Sequence, residues 1–335
     1  MSAPTLEEID PDGDTLLILR NPNAPFATWN SEIDQEWANA VPQHQSETSK
    51  LCELTIQPTE GIDDKGSDQT ETQPVDLHFR LCSAILKITS SFFKKAMNGA
   101  WKATECEPGF EWTLLERDWD AEVFLILMNI LHHNARRVPR TIPLETLAKI
   151  ATLVDYYDCH EAVNIWVEKW TSNLSLPEPE YYSRELLLRL TVARVFPDNK
   201  AFRALTKVAI ERSRGPIHTL GLPIPRQIID AIEEKRIETI GLFIQNNKDC
   251  HYTQLGYLEK NLFLRGLKPL PTTPYSGFSL RALEVAIFDF DKSTKCACKH
   301  SDHLKLIRDK IYDCIKDSIR CYKNGLDLQQ FTSNE

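Results

Sequence analysis

An α+β fold is what this 335-residue sequence predicts: a small sheet flanked by a helical cluster, followed by a mainly α-helical C-terminal region. Three observations carry that expectation. Leu77-His78-Phe79-Arg80-Leu81-Cys82 alternates apolar with polar residues, and Glu111-Trp112-Thr113-Leu114-Leu115-Glu116 has the same strand character. Thr15-Leu16-Leu17-Ile18-Leu19 is an apolar run of strand length closed by the turn residues Asn21-Pro22-Asn23. Between and beyond these runs, apolar residues return every three or four positions, the spacing that puts them on one side of a helix.

The elements follow in order. Phe26 and Trp29 are expected to continue the sheet begun at residues 15–19, and residues 77–82 to form an edge strand. Ser83 and Ser90 each precede an apolar turn, as a helix N-cap does, because a hydroxyl oxygen can accept from unpaired first-turn amides. Asp118-Trp119-Asp120 stops the second strand and starts a helix over 121–131; helices over 144–156 and 159–170 follow. The link through Pro139 and Pro143 separates them, since a residue before proline avoids the helical region. Leu147, Ile150, Ala151 and Val154 share one face, as do Val163, Trp166 and Trp170 on the next helix. Further helices are expected over 181–196, 200–213, from Pro225 to about Phe243, near 255–264, and over 304–319.

Between residues 42 and 74 acids outnumber bases and apolar residues thin out, so little surface is available to offset chain entropy. The expectation there is a flexible acidic insertion, with Leu51-Cys52-Glu53-Leu54-Thr55-Ile56 able to pair as an added strand. Leu176-Pro177-Glu178-Pro179 marks a boundary.

Several pieces together resemble the BTB/POZ domain, in the form common in filamentous fungi. They are Asp12-Gly13-Asp14, Phe79-Arg80-Leu81-Cys82-Ser83 with Ile85-Leu86, Ser91-Phe92-Phe93, Trp101-Lys102, Ala121-Glu122-Val123-Phe124, and Leu153-Val154-Asp155-Tyr156-Tyr157-Asp158-Cys159. Each is short; it is their order that is specific. Many animal members carry His-Lys where this chain has Cys82-Ser83, so functions tied to that pair are not carried over. The expected division is 1–175 as a BTB/POZ-like domain with the insertion, 176–248 as a helical region, and 249–335 as a Cys/His-containing helical C-terminal region. Gly215-Pro216-Ile217, Leu222-Pro223-Ile224-Pro225 and Gly325-Leu326-Asp327-Leu328 extend the resemblance into the second half, where it implies no activity.

A formal net charge of −9 argues against a general nucleic-acid binder, which needs a cationic face against phosphate. Arg136, Arg137 and Arg140 form a local basic group, read as a solvated loop. The N-terminus lacks the basic start and apolar core of a secretory signal, and the apolar run 123–131 is about half a membrane span. Nine scattered cysteines fit reduced thiols, hence a cytoplasmic and/or nuclear protein. Cys82, Cys106, Cys159, Cys314 and Cys321 are expected as small buried apolar residues.

Chemistry-bearing residues concentrate at Cys296-Ala297-Cys298-Lys299-His300-Ser301-Asp302-His303. Thiolates and imidazoles are the ligands of tetrahedral zinc. The spacing is too short for a DNA-reading finger, which needs about twelve residues between its pairs. A structural zinc clamp would use Cys296, Cys298 and either His300 or His303, with Cys250 brought in from the preceding segment. The other reading is a polar loop with packed thiols. His132 and His133 end a helix and point about 100° apart, so they read as a solvated helix end instead of a shared ligand pair. Asp289 and Asp291 have no phosphate-cradling glycine loop beside them, and no nucleotide-binding or hydrolase motif occurs.

The expected function is therefore non-enzymatic protein–protein interaction. The resemblance implies homo- or hetero-oligomer contacts, with a cullin-type ubiquitin ligase scaffold among the partners that members of the family recruit. The strand near Thr15, with Phe26 and Trp29, is the expected edge for an added partner strand. The alternatives are a transcriptional co-regulator acting through protein partners and, from another class, a zinc-dependent enzyme. Direct nucleic-acid and membrane binding are not expected.

Overall fold

The structure is a computed structural model of the chain and describes residues 6–29, 76–98, 106–174, 179–246, 263, 272–288 and 323–332. Four strands form one sheet in the order β1-β3-β2-β4: β1 is Leu6–Glu8, β2 Thr15–Arg20, β3 Leu77–Leu81 and β4 Trp112–Arg117. β3 pairs antiparallel with β2, with Leu17 opposite Phe79, while β1 runs parallel to β3 and β4 parallel to β2. Two expectations are corrected by this order. β3 is interior, not an edge, and β2, the strand at Thr15, is the other interior strand; the edges are β1 and β4. Strand alternation sets which face of each strand is apolar, but neighbours are chosen by long-range pairing, which alternation does not encode. β1 itself has no alternating pattern and is recognisable only through its ladder with β3.

Two short helices, α1 (Ser83–Thr89) and α2 (Ser91–Asn98), follow β3, and α3 (Ala121–Leu131) follows β4. A 3-10 turn at Ala135–Arg137 leads to α4 (Leu144–Tyr157) and α5 (His160–Asn173). Their core holds Leu17, Leu19, Phe79, Leu81, Phe93, Phe124 and Tyr157, all essentially without solvent contact. The Phe93 and Tyr157 rings stack with centroids 4.8 Å apart, and Phe79 meets Phe124 at 5.1 Å. Trp170 of α5 is fully buried and donates its indole N–H to Pro139 O at 2.9 Å, fastening the proline link beneath the helix. That buried N–H needs a partner, because an unpaired one would cost about 1–3 kcal/mol.

The caps differ from the sequence expectation in one case. Ser90 does cap α2, accepting from Phe93 N at 3.1 Å. Ser83 does not cap α1, for it is the first helical residue and Cys82 occupies the cap without a side-chain bond. Asp14, distant in sequence, does that work: its carboxylate accepts from Ser83 N and Ser83 Oγ, both at 2.7 Å. Gly13 beside it lies so close to the β3 end that a Cβ would stand 2.4 Å from Leu81 O. The Asp-Gly-Asp signature is thus a tertiary cap for α1.

The helices α6 (Arg184–Val195), α7 (Asn199–Arg212), α8 (Arg226–Asn246) and α9 (Leu280–Phe288) build the second half, and α10 (Gln329–Thr332) follows near the C-terminus. Ser183 caps α6 and Asp198 caps α7, each side chain accepting from an amide three residues on. α6 lies along α4, and α7 packs on α6, α8 and α9. One buried apolar core runs without interruption from Leu17 and Phe124 to Phe202, Ile232 and Phe278.

Residues 24–29 leave the sheet instead of continuing it. Arg184 reaches back to this loop, donating to Ala27 O at 2.8 Å and Phe26 O at 3.1 Å while bonding the Glu145 carboxylate at 3.0 Å. Trp29 lies 5.8 Å from the Tyr182 ring. The loop is therefore packed against the helices, which explains why Phe26 and Trp29 are apolar without being strand residues. The insertion at 42–74, the strand expected at 51–56, Trp101-Lys102 and the helix expected at 304–319 lie outside the described residues.

Candidate interaction surfaces

The buried titratable groups among the described residues are held by packing and hydrogen bonds. His132 is 8% exposed, not the solvated helix end that its position suggested. Its Nδ1 meets Met128 O at 2.9 Å and its Nε2 accepts from Cys82 N at 3.1 Å, so the ring is neutral with the proton on Nδ1. Burial pushes its pKa down, although the Met128 carbonyl and Asp10 pull the other way. Burial also pushes the Cys159 thiol up to about 12, with the Asp158 carboxylate adding to it, so it is no nucleophile at neutral pH. Cys106, by contrast, is exposed, and Cys82 is half-buried. Glu116, on the core-facing side of β4, has its pKa raised by burial against the opposing bonds from Trp119 and Tyr157. Lys149 joins the Asp120 carboxylate at 2.8 Å and Glu145 at 3.3 Å, a cation locked between two acids.

The five residues expected as zinc ligands, Cys250, Cys296, Cys298, His300 and His303, lie outside the described residues, as do Asp289 and Asp291. Among the described residues no group of three His, Cys, Asp or Glu side chains is placed to hold a metal. No described helix is long and apolar enough to cross a membrane. Arg136, Arg137 and Arg140 are exposed, in keeping with a solvated loop.

What the described surface offers instead is apolar area and a strand edge with no neighbour among the described residues. Ile88 is 85% exposed, Ile165 79%, Tyr181 68% and Leu115 57%, each forgoing burial worth roughly 1.5–3 kcal/mol per side chain. One of them, Leu115, lies on β4 itself. Leu115 projects from the strand on the face opposite the helices, and Ile88 follows Lys87, whose ammonium sits 4.8 Å from the Trp112 ring on the helical side. β4 ends the sheet, and no strand lies beyond it among the described residues.

A second feature is a groove of about 460 Å³ where the two halves meet, with α4 and α5 on one side and α6 and α7 on the other. Leu147, Val167, Val192 and Leu205 line its apolar part, with His160, Glu168, Arg189 and Asp198 at the lining's polar positions. Neither surface was legible in the sequence as a site. Both arise from which elements end up beside one another.

Residues 70–174 match the family model described as the BTB/POZ domain, a span from just before β3 to the end of α5; β1 and β2 precede it. No curated protein and no solved structure matches the chain.

Proposed function

This chain carries a BTB/POZ domain, a protein-interaction fold, and we propose that it is a non-enzymatic adaptor that self-associates through this domain and presents its helical half to other proteins. A single observation supports this most: large apolar side chains face water on both halves, Ile88 and Leu115 on the first, Tyr181 on the second. Association would recover their burial. The continuous core means that a partner bound to one half is held in a defined orientation to the other. On the BTB side a cullin scaffold is the partner class to test first. We read the compartment as cytoplasmic and/or nuclear, in keeping with the free thiols of Cys82, Cys106 and Cys159.

The experiment is size-exclusion chromatography with light scattering on the full chain, alone and mixed with purified cullin N-terminal region. A mass of twice 38.5 kDa at micromolar concentration is expected for the chain alone. A strict monomer would reject self-association. Co-elution with cullin would support the ligase-adaptor form, and its absence would remove that form while leaving the interaction role.

A further inference from the structure

We infer that the free edge of β4 is the self-association surface, pairing antiparallel with the same edge of a second copy about a two-fold axis through Leu115. The inference rests on the self-associating reading above and names the surface that serves it.

The backbone supplies the first argument. Trp112 N donates to Asp14 O at 3.2 Å and Asp118 N to Arg20 O at 3.0 Å, so the even-numbered residues of β4 face β2. Alternation then turns the N–H and C=O groups of Thr113, Leu115 and Arg117 outward, along an edge with no neighbouring strand among the described residues. Such an edge is a template for another strand unless it is guarded. The guard here is partial. The turn before β4 closes only its first residues, with Cys106 Sγ on Glu111 O and Glu107 N on Thr113 Oγ1, both at 3.1 Å. No proline or lysine interrupts Trp112-Thr113-Leu114-Leu115-Glu116-Arg117.

The side chains supply the second argument, which selects a second copy as occupant. Antiparallel pairing centred on Leu115 sets Leu115 opposite Leu115 of the second copy and Thr113 opposite its Arg117. All three outward-facing residues then meet outward-facing residues, as a hydrogen-bonded ladder requires. Glu111 stands outside this register, since it precedes β4 and its N donates to Asp14 O at 2.7 Å. Leu115, more than half exposed in the single chain, is buried against its own counterpart. Being isologous, the contact closes at two copies and produces no fibre.

The test uses three variants of the full chain. Leu115→Cys places two thiols opposite each other at a hydrogen-bonded position, where Cα atoms stand about 5.5 Å apart and a disulfide can form. Thr113→Cys places its two thiols four strand positions apart, roughly 13 Å, too far to join. Under mild oxidation, Leu115→Cys is expected to give about tenfold more linked dimer than Thr113→Cys, with the 115–115 peptide identified by mass spectrometry. Leu115→Lys sets like charges on the axis and is expected to weaken the dimer roughly tenfold or more in analytical ultracentrifugation. The Leu115 side chain is solvent-facing, so both Leu115 variants keep the parent circular dichroism; Thr113→Cys loses the hydroxyl that accepts from Glu107 N and serves as the comparison once its circular dichroism matches the parent. A dimer that gives no 115–115 linkage, or that survives Leu115→Lys unchanged, overturns this surface and leaves self-association standing. A wild-type chain that stays monomeric overturns both.

Discussion

Arg184 donates from Nε to the carbonyl oxygen of Ala27 at 2.8 Å, joining the first residue of α6 to the loop that leaves β2. With its other bonds to Phe26 O and Glu145, the guanidinium ties three separate segments of chain together. Its planar fork suits two carbonyls and a carboxylate at once, which a single ammonium cannot match. The Glu145 pair itself is nearly half exposed and contributes little; the bonds to backbone carbonyls contribute more. Arg184→Ala is expected to lower unfolding stability by about 2 kcal/mol, and Arg184→Lys to recover less than half of that. Urea denaturation of the three proteins measures it.

His132 sets an acid limit. Its folded pKa lies below the ordinary 6.5 because burial disfavours the charged ring. Protonation would also remove the lone pair that accepts from Cys82 N. Stability from this group is therefore complete above about pH 6.5 and is lost as pH falls toward the folded pKa. Melting temperature should drop as pH falls below about 6.5 more steeply in the wild type than in His132→Gln, which keeps an acceptor without a proton to gain. Parallel slopes would reject the assignment.

Asp14 caps α1 across a gap of 69 residues. Burial tends to raise its pKa, but the Ser83 hydroxyl and amide outweigh that and hold it below the usual carboxylate value. The stabilisation is present above about pH 3.8 and is lost as pH falls through the lower folded pKa. Asp14→Ala should cost about 1–2 kcal/mol at neutral pH, and hydrogen exchange should accelerate most at the first turn of α1.

Gly325 anchors the C-terminal segment to α7. Its φ is +64°, and a Cβ there would stand 2.0 Å from Arg203 O. Next to it Leu326 N donates to Thr206 Oγ1 at 2.9 Å, and Asp327 pairs with Arg203. Gly325→Ala strains both the backbone angle and the contact, so a loss of about 1–3 kcal/mol is expected. Limited proteolysis should release the C-terminal peptide from the variant first.

For Cys250, Cys296 and Cys298 with His300 or His303, a structural zinc clamp remains our proposal from the sequence. Purified protein should carry close to one zinc per chain, and chelation should lower the melting temperature. A Cys298→Ser protein that loses metal yet melts unchanged would argue against a clamp.

Local signals settled a good part of this molecule. Periodic apolar residues located α3, α4, α5 and α8 to within a few positions, because burying one face of an element demands that repeat regardless of what lies opposite. Alternation found β3, an apolar run of strand length found β2, strand character found β4, and the order of short motifs pointed to the BTB/POZ domain. The sequence could not say which strands lie at the rim, that Asp14 rather than Ser83 caps α1, that His132 is buried, or that Phe26 and Trp29 pack on helices. Each of those depends on residues tens of positions apart meeting in space. Only the folded chain decides such meetings, since pairing and close packing act between elements, whereas composition and spacing describe each element alone.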